Sequence, residues 1–140
     1  MEDRGFHKIP LSVNKAGHFE LKLKLNGKRA RFILDTGASH TVVDSAAAEK
    51  FKVIAGTRKG KKAGGLGTTR LETKVSKDNA IEISKVKLSG QKLVLLDLTH
   101  VNLSLENNGS ENVTGIVGAD ILKKKSAVID YKGRALFLKQ

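Results

Sequence analysis

Asp35 is the residue here whose setting most clearly points to chemistry. It ends the apolar run Phe32-Ile33-Leu34, which reads as a buried strand, and it is followed by Thr36-Gly37-Ala38-Ser39, all small or hydroxyl-bearing. A carboxylate at the end of an apolar strand is costly unless it is hydrogen-bonded, paired or protonated. The four residues after it can feed hydrogen bonds to that carboxylate and leave room beside it. Hydrolysis of an amide by carboxylates needs one group to take a proton from water and another to give one to the carbonyl oxygen. Two Asp side chains about 3 Å apart fill both roles by sharing a proton.

Other chemistries have less to work with. The 140-residue chain has no Cys, which removes disulfides, thiolate metal sites and Cys nucleophiles. His7, His18, His40 and His100 are scattered, with no pair at metal-ligand spacing, so neither a metal nor a cofactor is expected. The stretch "GGLGTTR" is glycine-rich, but no Gly-Lys-Ser or Gly-Lys-Thr follows it, which argues against a phosphate cradle. The net charge of +12 raises the question of nucleic acid. The Lys and Arg residues are spread along alternating strands, and the tight runs "RKGKK" and "KKK" are not interleaved with aromatics. A solvated basic surface is therefore preferred over nucleic-acid binding. No apolar leader and no membrane-length apolar run is present, so a cytoplasmic location is expected.

The elements that must position Asp35 follow from hydrophobic periodicity. In "FELKLKLNGKRARFIL" the residues Leu21, Leu23 and Leu25 alternate with charged ones, and Asn26-Gly27 supplies a two-residue type I′ turn. The return strand places Ala30, Phe32 and Leu34 on one parity and delivers Asp35 at its end. "HTVV" reads as a further strand, and "DSAAAEKF" as a short helix capped by Asp44 or Ser45. "LETKV", "AIEIS", "VKLSG", "KLVLLDL" and "VNLSL" read as strands, and "ENNGSEN" as a loop. "GIVGADILKKK" reads as a buried strand turning into a short helix, and "SAVIDYKGRALFLKQ" as a closing hairpin turned at Lys132-Gly133. The units "FILDTG" with "DSAAAEKF" and "GIVGAD" with "ILKKK" rhyme, which suggests an internal two-fold. The sum is one compact, mostly β domain with one or two short helices: residues 1–17 as an N-terminal arm and first strand, and 18–140 as the domain.

The order of motifs resembles the retropepsin-like aspartic proteases, above all the bacterial single-lobe, retroviral-protease-like members. "FILDTGASHTVVD" is similar to their catalytic loop, "GGLGTTR" to the flap, and "GIVGADILKKKSAVIDY" to the second-half motif and its helix. The likeness spans about residues 18–138; the first and third motifs are specific, the flap weakly so. It implies an all-β closed barrel and an aspartic endopeptidase in which Asp35 is catalytic. It further implies that Thr36, Gly37, Ala38 and Ser39 form the active-site loop, that Gly64, Gly65, Leu66 and Gly67 form a flap over an extended peptide or protein substrate, and that Ile116, Val117 and Gly118 form the second-half motif. Thr36 resembles the residue whose hydroxyl locks the two loops of a dimer together.

One chain carries one such Asp. Gly115 and Gly118 stand where a second Asp-Thr-Gly would be needed, so a complete dyad requires a homodimer with a two-fold axis through the site. The sequence departs from the retroviral pattern at Ser39, where an acid is usual, at the following His40, and in extra strand material between residues 70 and 110. "RALFLKQ" would sit at the dimer interface if the family arrangement holds. Two other classes stand beside this reading: a non-catalytic peptide-binding or dimerisation module of the same fold, and a basic nucleic-acid binder. Asp130 is expected to be structural rather than catalytic.

Overall fold

The computed structural model describes residues 5–57 and 74–140. The Gly64–Gly67 expectation lies outside the described residues.

The hairpin built on Leu21, Leu23 and Leu25 organises the fold. Strands β1 (Phe6–Pro10) and β2 (Ser12–Val13) lead into β3 (Phe19–Leu25), which turns back as β4 (Lys28–Leu34). Asn26 and Gly27 both have positive φ, 48° and 87°, as a type I′ turn demands. The alternation does what period two predicts: Leu21, Leu23 and Leu25 are buried while Lys22 and Lys24 face solvent.

After β4 come β5 (Val42–Asp44), a single 3₁₀ turn at Ser45–Ala47, and β6 (Gly56–Thr57). The turn replaces the expected helix over "DSAAAEKF". Asp44 caps it by accepting a hydrogen bond from the Ala46 N–H, and the chain leaves at Lys52, whose φ is 54°. Two long strands follow, β7 (Lys74–Ile83) and β8 (Val86–Leu96), paired antiparallel. They absorb the short strands read between 74 and 96. Next come helix α1 (Thr99–Asn107), β9 (Gly115–Val117), helix α2 (Ala119–Lys124), β10 (Val128–Asp130) and β11 (Ala135–Lys139).

The pairing order β3-β4-β9-β5-β8-β7 closes on itself through a short β3–β7 seam, Lys24↔Glu82 and Leu25↔Ile81, giving a six-stranded barrel. Asn26 extends that seam. Its N–H donates to the Ala80 carbonyl and its Oδ1 accepts from the Ala80 N–H, both at 2.8 Å. A turn residue thus also closes the barrel. A second sheet, β1-β11-β10, lies beside the barrel, and Ile9, Leu136 and Leu138 join its core. Its β10–β11 hairpin is the expected closing one. Asp130 is structural there: it accepts a hydrogen bond from the Gly133 N–H at 2.9 Å.

"VNLSL" is the clear correction. It lies within α1, not a strand. Leu98, Asn102 and Leu105 are buried while Leu103 is exposed, a spacing of four and three that fits a helix face. Leu105 packs with Val113 on Ile33, covering the outer face of the barrel. This explains why β4 ends in an unbroken apolar run. Phe32 and Leu34 face the barrel interior, and Ile33 faces α1. Asn102 holds the helix in place by accepting from the Val113 N–H and donating to the Val113 carbonyl.

Phe32 has no exposed surface and packs in the main core. Phe32→Ala is expected to lower the unfolding free energy by about 3–5 kcal/mol, the usual cost of removing a buried aromatic ring. Urea denaturation checks this, and a loss under about 1 kcal/mol would mean that the interior collapses around the cavity.

Candidate active site

Asp35 leaves the barrel at the end of β4, and the neighbouring strand fixes its backbone. β4 and β9 run parallel, with Phe32↔Gly115, Ile33↔Ile116 and Leu34↔Val117 in register. The Asp35 N–H extends this ladder, donating to the Val117 carbonyl at 3.0 Å. The two apolar triplets singled out by sequence therefore lie side by side. Gly115 sits where a side chain would run into the Phe32 ring and the Val42 carbonyl, so only glycine lets the strands meet this closely.

The Asp35 side chain is exposed. Its Oδ1 accepts the Gly37 N–H at 2.9 Å, and the Ala38 N–H returns to the Asp35 carbonyl at 3.2 Å. The loop thus supplies the carboxylate with one hydrogen bond rather than several. Solvent carries the remaining solvation within one chain, so the desolvation cost foreseen for this Asp is small. Thr36, Gly37 and Ser39 are exposed, and Ala38 is half-buried.

The far half of the loop is held from beneath. The Ala38 carbonyl accepts the Ala119 N–H at 2.7 Å. A Cβ on Gly118 would lie 2.7 Å from both the Ala38 and His40 carbonyl oxygens, so the loop rests directly on glycine backbone. Thr41 is fully buried. Its hydroxyl donates to Asp120 Oδ1 at 2.7 Å, its N–H donates to Asp120 Oδ2 at 3.0 Å, and its Oγ1 accepts the Gly118 N–H at 3.1 Å. Asp120 also accepts from the Ile121 N–H and, at 3.4 Å, from Gln91 on β8.

Of the sequence-selected residues, Asp35 to Ser39 and Ile116 to Gly118 are brought together. Thr41, Asp120 and Gln91 were not selected. Nothing in the sequence pairs a Thr with an Asp 79 positions away; the only local signal is that Asp120 stands two residues past the Gly118 contact.

Thr36, Gly37, Ala38 and Ser39 line a cavity of about 370 Å³, closed on its other side by Ala119, Asp120 and Lys123 of α2. A larger cavity of about 620 Å³ lies by Asn26, Lys52 and Asn79 and includes no residue of the Asp35 loop. Among the described residues, no cluster of three metal-ligating side chains occurs, and no helix is long and apolar enough to cross a membrane.

Comparison with known proteins agrees with this geometry. A family model described as aspartyl protease matches residues 21–121. The fold is similar to a retropepsin-like aspartic protease from Rickettsia conorii (TM-score 0.60, 20% identity, covering 95% of this chain and 90% of that one). It is also similar to the retroviral protease-like domain of Ddi1 from Leishmania major (TM-score 0.56, 16% identity, covering 91% and 90%). A third similar structure is EIAV protease complexed with the inhibitor HBY-793 (TM-score 0.52, 19% identity, covering 81% and 92%). No curated protein matches the chain. The fold is therefore retropepsin-like.

Gly118→Ala tests the close approach. The added methyl must push against backbone rather than a flexible side chain, which should cost about 3 kcal/mol. The measurement is the denaturant midpoint together with amide exchange in the Asp35 loop. An unchanged midpoint would mean that the loop does not rest on Gly118.

Proposed function

This chain belongs to the aspartyl protease family, and we propose that it is an aspartic endopeptidase whose hydrolytic centre forms when two copies bring their Asp35 carboxylates together. One observation carries the reading. Asp35 stands exposed at the end of a buried strand that is itself clamped by β9, so the fold presents a single carboxylate on a rigid base.

The chemistry needs two such groups. Asp120, the acid that borders the same cavity, has both oxygens occupied by donors from Thr41, Ile121 and Gln91, so it is not free to act on water. A second copy related by a two-fold axis supplies the missing carboxylate. The two then share a proton: one takes a proton from the attacking water while the other donates to the carbonyl oxygen of the scissile bond. Thr36 is exposed beside Asp35 and has no side-chain hydrogen bond among the described residues, leaving its hydroxyl to reach the other loop. Ser39 borders the substrate cavity. The substrate is a peptide or protein segment bound extended, through main-chain hydrogen bonds.

Asp35→Asn should abolish cleavage of a diverse peptide library while leaving fold and assembly intact, because a neutral amide cannot take the water's proton. Cleavage at the wild-type rate in this variant would overturn the proposal. Peptide binding without cleavage in the wild type would instead indicate a binding module on the same fold.

Each copy holds half of the centre, so specific activity should fall as the protein is diluted through its dimer dissociation constant, and stability should fall with it. Sedimentation run beside the activity assay checks this. Constant activity per chain in a monomeric sample would exclude the two-chain centre.

A further inference from the structure

Residues 36–40 project from the barrel, held beneath only by backbone contacts at Gly118 and Ala119. The far end of the loop is a different matter, because Thr41 is gripped at two points by one carboxylate. Asp120 takes its hydroxyl on Oδ1 and its N–H on Oδ2. The Thr41 hydroxyl hydrogen is thus committed, and its lone pairs are turned toward the Gly118 N–H. Two contacts from two oxygens leave Thr41 no rotation about its own axis, as in other bidentate carboxylate contacts.

The grip is braced from a second direction. Gln91 of β8 is buried. Its Nε2 donates to Asp120 Oδ2 and to the Lys92 carbonyl, while its Oε1 accepts from Lys124 Nζ at 3.0 Å. The ammonium of Lys124 is thereby joined to the carboxylate of Asp120 through one amide. The network ties three elements together: the loop, β8 and α2.

We infer that Asp120 is a positioning residue: acting through Thr41, it sets where the Asp35 carboxylate stands, without touching substrate. The inference rests on the reading of Asp35 as half of a hydrolytic dyad. Two carboxylates that share a proton must meet at about 3 Å, and a misplacement of 1 Å can cost about 100-fold in rate. Asp35 is held by the β9 ladder on its N-terminal side. On its C-terminal side the tethers to α2 are the Ala38–Ala119 bond and this grip. An amide at position 120 sets its NH₂ either against the Thr41 hydroxyl and the Ile121 N–H or against the Thr41 N–H and Gln91 Nε2, so at least one donor loses its acceptor.

The test compares Asp120→Asn with Asp44→Asn. Asp44 is a buried carboxylate at the end of β5, the strand that begins just after Thr41, but it serves α1 instead, accepting from the Leu98 N–H and from Asn102. Both variants should lose stability. Asp120→Asn should lower kcat by about 10- to 100-fold with KM nearly unchanged, whereas Asp44→Asn should keep its kcat. Thr41→Val should match Asp120→Asn, and Thr41→Ser should recover most of the loss. If Asp120→Asn does not fold, Gln91→Met removes one donor and the Lys124 link, and should show the same split at smaller amplitude. An unaltered kcat in folded Asp120→Asn, a loss confined to KM, or an equal kcat loss in Asp44→Asn would each overturn the inference.

Amide exchange separates this inference from the proposed function. In Asp120→Asn, the Gly37, Thr41 and Gly118 amides should exchange about 10-fold faster while β3 and β4 do not change. No cleavage by the wild type, with this exchange pattern present, would remove the protease reading and keep the positioning role. Unchanged exchange would remove the positioning role whatever the activity.

Discussion

Everything around Asp35 depends on the absence of a side chain at Gly118. The carbonyl oxygens of Ala38 and His40 come within 2.7 Å of where a Cβ would be. That approach lets Ala119 hydrogen-bond Ala38 and lets Thr41 reach Asp120. Gly115 plays the same part three residues earlier, admitting the Phe32 ring and the Val42 backbone. Between them the two glycines bring β9 against both strands that flank the loop, parallel to β4 and antiparallel to β5. The loop is then a short span between two fixed posts.

This construction separates stability from chemistry. The barrel and its Leu, Ile and Val interior hold the posts without the side chains of residues 35–40. Those residues are free to be chosen for what they present: one carboxylate, one hydroxyl beside it, and small side chains that leave a cavity. A carboxylate that is costly to bury is placed where water still solvates it. On the proposed reading, a second copy would exchange that water for another carboxylate.

The basic surface belongs to the same plan. In β3 the lysines take the outward positions, with Lys22 and Lys24 exposed between buried leucines. Lys24 across the seam and Lys87 on the neighbouring β8 both lie 3.8 Å from Glu82, and such exposed pairs contribute little to stability. Arg31 is used differently. It joins the buried Glu20 to Glu111, which draws the segment before β9 onto the barrel.

The sequence by itself determined the hairpin at Asn26-Gly27, the inward leucines, the place of Asp35 at the end of an apolar strand and the strand-to-helix turn at Gly118. Each is a local matter of turn conformation or side-chain parity, and both are written in neighbouring residues. It also pointed to the family, because the Asp-Thr-Gly and Ile-Val-Gly motifs are contiguous. Only the tertiary structure decided that "VNLSL" is helical, because alternation over five residues fits a strand as well as a helix until Ile33 and Val113 offer a surface to cover. Only the tertiary structure joined Thr41 to Asp120 and Gln91. Those residues lie far apart along the chain, and their types are common polar ones. What selects them is the buried donors of Thr41 and Ile121, which need an acceptor once β9 has brought α2 beneath the loop.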